Sequence, residues 1–151
     1  MHLTLFTDYA LRSLLYLAWH PDRTCTVDDI AGYFGISADH VTKVMQHLSR
    51  KGYVRSKRGR HGGAVLARPP EDIRLGDVIR DFEHVALLDC LVAEGVCVIE
   101  ATCRLKEVLA EGQRRMMAYF DEHTLRDLLV PVSRRKEADG RRTALPLDVL
   151  G

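Results

Sequence analysis

Several things are missing from this 151-residue chain. No stretch approaches the roughly 20 consecutive apolar residues needed to span a bilayer, so a membrane-spanning reading is excluded. The apolar N-terminus has no basic segment ahead of it and is interrupted by Asp8 and Arg12, which argues against a secretory signal and for a cytoplasmic protein. No phosphate-cradling glycine loop, no plausible Ser/His/Asp set and no paired carboxylates in an obvious pocket occur, so nothing points to an enzyme. There is no CxxC pair, and hence no zinc ribbon. Internal repeats are absent. One further absence is local: between Arg50 and Arg68 there is no acidic residue.

That last gap sits in an asymmetric charge distribution. The net charge of +1 is uninformative, but residues 1–70 carry ten Lys or Arg against five Asp or Glu, and residues 71–110 carry four against nine. A basic segment beside an acidic one suits a polyanionic partner. Length and composition allow one domain with a real core, or a small domain with an added oligomerisation element.

Along the chain, residues 7–19 read as a helix capped by Thr7, with Asp8 in its first turn and an apolar stripe of Leu11, Leu14, Leu15 and Ala18. Thr26 caps a second helix that Gly35 closes; Ser37 caps a third, with Val41, Val44, Met45 and Leu48 inward. The spacing Ala31, Gly35, Ile36, Ser37, Val41, Val44 is that of a helix-turn-helix: a small residue for a close crossing, a glycine for the turn, branched residues pinning the second helix. Tyr53–Arg55 and Ala64–Leu66 read as a hairpin with the basic, glycine-rich tip KRGRHGG. Residues 75–83 form a short helix. Residues 103–122 form a long one, striped by Leu105, Val108, Leu109, Gly112, Met116, Tyr119 and Phe120. Thr124 caps a terminal turn, and residues 131–151 read as a mobile polar tail. The fold class is therefore mainly α with a small β-hairpin wing. The expected division is 1–84 winged helix-turn-helix, 85–103 cysteine segment, 104–130 long helix and terminal turn, and 131–151 tail.

The DNA-facing candidates follow from this layout. On the second helix of the motif they are Ser37, Ala38, Asp39, His40, Thr42, Lys43, Gln46, His47 and Arg50, taken as its solvent side. On the wing they are Arg55, Lys57, Arg58, Arg60, His61, Gly62 and Gly63. Polar groups near the helix start would face base edges, and the cations would meet phosphate or guanine. The plainer alternative is a solvated helix and a soluble turn; the acid-free basic wing favours double-stranded DNA.

Three of four cysteines fall within residues 89–103, as Cys90-x6-Cys97-x5-Cys103. In a reducing compartment clustered thiols bind metal or do redox chemistry more often than they pair. Spacing alone leaves a metal site and three small buried apolar residues equally open. Three thiolates also leave a tetrahedral zinc or a [4Fe–4S] cluster one ligand short.

The segments LTLFTDYALRSLLYLA, RGRHGG, IRLGDVIRDFE and CRLKEVL together resemble the winged-helix iron–sulfur transcriptional repressors over about residues 1–130. The NsrR branch, which senses nitric oxide, is more similar than the IscR branch, whose histidine ligand three residues after the last cysteine is here Lys106. The resemblance implies a homodimer built on the long helix, and an iron–sulfur cluster on Cys90, Cys97 and Cys103, either [4Fe–4S] or, as the alternative, [2Fe–2S]. It also implies Asp8 from the other subunit as a fourth ligand and release from DNA when nitric oxide attacks the cluster. By the residues alone, Asp8 reads as a first-turn acid paired with Arg12. The first cysteine gap is six where the family more usually has five, which bears on cluster type. Cys25 lies apart and reads as structural. Rival readings are an iron–sulfur-supply or redox regulator of the same fold, and a zinc or thiol repressor without a cluster.

Overall fold

The computed structural model describes residues 2–57, 59, 62–93, 95, 97–99 and 102–129. The order of elements is α1 (Leu5–Trp19), α2 (Val27–Phe34), α3 (Ala38–Arg50), β1 (Val54–Lys57), β2 (Gly63–Leu66), α4 (Leu75–Phe82) and α5 (Arg104–Asp121). Single 3-10 turns occupy Pro70–Asp72, Asp89–Leu91 and Leu125–Leu128. The strands pair antiparallel, with Val54 opposite Leu66 and Lys57 opposite Gly63. This is a winged helix-turn-helix followed by a long C-terminal helix.

Local chemistry sets the boundaries. α1 begins earlier than expected, because Thr4 is its N-cap and accepts a hydrogen bond from the Thr7 amide. Thr7 instead lies within the first turn and is fully buried. Thr26 and Asp29 form a reciprocal capping box at α2, and Gly35 takes the left-handed conformation at φ 67° that closes that helix. Ser37 stands at the N-cap of α3 without a side-chain capping bond. α3 stops where Gly52 turns at φ 75°. There the Tyr53 amide donates to the Leu48 carbonyl at 2.9 Å.

The core joins Ala10, Leu14 and Leu17 of α1 to Ile30, Val41, Val44, Leu48, Tyr53, Ile73, Val78 and Leu125. Each fully buried aliphatic side chain contributes on the order of 1.5–3 kcal/mol. α5 belongs to this core only at its far end. Arg80 binds Asp121 at 2.8 Å, the Leu75 amide donates to the His123 carbonyl at 2.9 Å, and Arg74 bridges to Thr124. Met117 is 7% exposed, whereas Leu105, Val108 and Tyr119 are 61%, 63% and 61% exposed. Part of the apolar stripe read from the sequence thus faces solvent, while Leu109, Met116 and Phe120 are half-buried. Among the described residues no helix is long and apolar enough to cross a membrane.

Backbone hydrogen bonds stitch the wing to the loop between α1 and α2. Cys25 and Ala64 exchange backbone hydrogen bonds of 3.0 and 2.8 Å. Beside them Gly63 lies at φ 155°, and a Cβ there would come 2.7 Å from the Cys25 carbonyl oxygen. Gly63→Ala should therefore open this seam and cost about 1–3 kcal/mol. Chemical denaturation checks this, and an unchanged unfolding free energy would contradict it.

Candidate functional site

Two features compose the site: a basic face made by α3 and the wing, and the cysteine segment between α4 and α5. Between α3 and the hairpin runs a groove of about 640 Å³, edged by Thr42, Gln46, Arg50 and Lys57. Ser37, Ala38, Asp39, His40, Lys43, Gln46, Arg50, Arg55 and Lys57 are all exposed. The Thr42 hydroxyl donates to the Ala38 carbonyl at 2.8 Å, and the His40 ring stands 6.1 Å from that of Tyr9. Arg58, Arg60 and His61 lie outside the described residues. Gly62 precedes the return strand and Gly63 begins it.

His47 departs from the expected solvent side. Its ring packs 4.5 Å from Phe82 and 5.8 Å from Phe6, so it turns toward α4. Its Nε2 lies 3.1 Å from the Asp81 carbonyl oxygen. A carbonyl only accepts, so Nε2 carries the proton and donates. Nδ1 then accepts from Arg50 Nη2 at 3.2 Å.

The last turn of α4 gathers further contacts that local sequence patterns did not reveal. Asp81 accepts from Lys51 Nζ and from the Tyr53 hydroxyl, each at 2.7 Å. Partial burial works against the charged form of Asp81, but the bonds from Lys51 and Tyr53 outweigh it and hold the carboxyl below its ordinary range. Burial, then the bond to Asp81, pushes the Tyr53 phenol well above its ordinary range. Next to it, Glu83 accepts from the Thr7 hydroxyl at 2.5 Å and from the Thr4 amide at 2.6 Å. Burial again opposes ionisation and these two bonds overcome it, so the Glu83 carboxyl is held low.

The four cysteines separate into two environments. Cys25 is 1% exposed, and burial raises its thiol pKa; it forms the floor of the α3–wing groove. Cys90 sits half-buried in the Asp89–Leu91 turn, Cys97 is exposed, and Cys103 is half-buried at the N-cap of α5. The Cys103 sulfur accepts from the Lys106 amide at 3.4 Å. Among the described residues no three His, Cys, Asp or Glu side chains stand together as a metal site. The cysteine segment offers a suitable donor set, three soft sulfurs outside the core, without a preformed cage. Gly95 at φ 76° supplies a turn within it. Asp8 is engaged within its own chain by Arg12 Nε at 2.8 Å.

Comparison with known proteins places this geometry among gene regulators. Residues 3–131 match the family profile described as Rrf2, iron-dependent transcriptional regulator. A crystal structure of a putative transcriptional regulator from Listeria innocua is 28% identical, covers 97% of this chain and 92% of its own, and has a TM-score of 0.70. IscR from T. potens is 25% identical, with 96% and 93% coverage and a TM-score of 0.69. CymR, the global cysteine regulator of B. subtilis, shares the fold at 24% identity, with 85% and 95% coverage and a TM-score of 0.71.

The Glu83 clasp makes a pH-dependent statement. Its folded pKa is depressed, so its contribution is present above the unfolded value of about 4.3 and is lost as pH falls through the folded one. Asp81 acts in the same sense. Melting temperature by circular dichroism should fall as pH drops from about 6 to about 3. Glu83→Gln should melt lower near neutrality and show a shallower acid slope. An acid slope equal to that of the wild type would count against the clasp.

Proposed function

Since the chain belongs to the Rrf2 family of transcriptional regulators, which bind DNA, are typically dimeric and are not enzymes, we propose that it is a nitric-oxide-responsive repressor that holds operator DNA as a homodimer. In this reading Cys90, Cys97 and Cys103 hold an iron–sulfur cluster, most simply [4Fe–4S], with the partner subunit's Asp8 as fourth ligand. When bound, the cluster supplies iron, at which nitric oxide can coordinate. Residues 1–84 read DNA, 85–103 sense, and 104–130 dimerise.

One observation carries the proposal: the three-thiol segment joins α4, which is bonded to the reading helix, to α5, whose apolar face is exposed. Leu105, Val108 and Tyr119 have no cover in their own domain, and a second copy of α5 would supply it. Two α3 helices then meet successive major grooves at a fixed separation. Gln46 meets the groove, and Lys43, Arg50, Arg55 and Lys57 meet the backbone. The family profile's description as iron-dependent supports iron on the thiols. Asp8 must leave Arg12 to ligate. The exposed Cys97 thiol favours a second reading, a thiol-oxidation or zinc repressor without a cluster.

Protein isolated without oxygen should contain iron and sulfide, and Cys90→Ala, Cys97→Ala and Cys103→Ala should each abolish or cripple that content while Cys25→Ala should not. A colourless zinc protein would support the second reading. Fluorescence anisotropy at rising salt tests the DNA half. If Lys43, Arg50, Arg55 and Lys57 of two subunits each meet a phosphate, log affinity should fall against log salt with a slope of about −7, and Lys43→Ala should lessen it by about 2. Salt-independent affinity would sink the DNA reading.

A further inference from the structure

Both DNA-facing elements converge on one carboxylate. Asp81 Oδ1 takes Lys51, just past the end of α3, and Oδ2 takes Tyr53, at the stem of the wing. Its backbone carbonyl takes His47, which in turn accepts from Arg50. Tyr53 is 1% exposed, and the Arg68 guanidinium lies 4.6 Å above its ring, so the phenol is fixed from both sides. Phe82, the next residue, closes the same knot against His47 and Phe6. The same last turn of α4 is tied to the foot of α5 by Arg80 and Asp121.

We infer that Asp81 is a positioning residue for operator recognition: it locks the angle between α3 and the wing and couples both to the last turn of α4. This rests on the DNA-binding reading above. Asp81 touches no DNA. It acts through Tyr53, Lys51 and the His47–Arg50 pair, so that the reading helix, the wing and one of its cations keep a common frame. Sequence-specific contact needs several side chains to meet base edges at once, and a small rotation forfeits them together. Phosphate attraction tolerates such rotation. Losing Asp81 should therefore separate the two kinds of affinity. Because α4 runs directly into the cysteine segment, a displacement of its last turn reaches both readers, the wing through the Asp81 side chain and α3 through that side chain and the Asp81 carbonyl.

The test uses the full-length protein isolated without oxygen, a labelled duplex that the wild type selects from genomic fragments, and a scrambled duplex of equal length. Asp81→Asn keeps the side-chain shape and removes the charge. Tyr53→Phe keeps the packing and removes one hydrogen bond, so it remains informative if the first variant folds poorly. Each should lower affinity for the selected duplex about tenfold or more, the scale of one lost base contact. Affinity for the scrambled duplex and its salt slope should stay at wild-type values. Variants that match the wild type on both duplexes, or lose both equally, overturn the inference and leave the DNA-binding reading standing. Wild-type protein that prefers no duplex overturns both.

Discussion

The last turn of α4 is the constraint on which the rest depends. Asp81 lies in that turn and Glu83 is the helix C-cap, and the two carboxylates hold different elements. Glu83 holds the start of α1 through Thr4 and Thr7, and Asp81 holds the end of α3 and the wing stem through Lys51 and Tyr53. Both are held in the charged form although burial opposes it, because charge-assisted hydrogen bonds outweigh the lost hydration. The cysteine segment begins immediately beyond. Any rearrangement there pulls first on a turn already bonded to three elements of the DNA-reading domain. Apolar packing of Phe6, His47 and Phe82 stiffens the joint, so movement is passed on rather than absorbed.

α5 completes the arrangement from the other side. It is bonded to the domain at its foot and, through Gln113, to the Leu87 amide, while Leu105, Val108 and Tyr119 remain exposed. The cysteine segment therefore spans between an element fixed to the reader and one free to meet a second chain. A change in that segment can alter both the pose of a reading head and its relation to its twin.

What could be read in advance was local. Capping at Thr26, the turn at Gly35, the inward face of α3, the hairpin and the outward stripe of α5 all depend on neighbours a few residues apart, and periodicity exposes them. The first helix began a turn early because Thr4, not Thr7, offers its hydroxyl to the helix start; two threonines at that spacing are indistinguishable by type. His47 looked like solvent face by helical phase, but α4 packs across that edge and turns the ring inward. Met117 escaped the stripe for the matching reason, since it faces home while its neighbours face out. Asp81 and Glu83 left no trace beforehand, because their partners lie far away in sequence. The three clustered thiols were visible as a pattern, yet their convergence depends on loop conformation, which spacing does not specify.

The most direct measurement is operator affinity of one oxygen-free preparation, with its iron and sulfide content known, before and after stoichiometric nitric oxide. The account predicts a coloured dimer that contains both elements and loses about tenfold or more of its specific affinity on exposure. A preparation without iron and sulfide, or one whose grip on the operator is the same before and after, would contradict it.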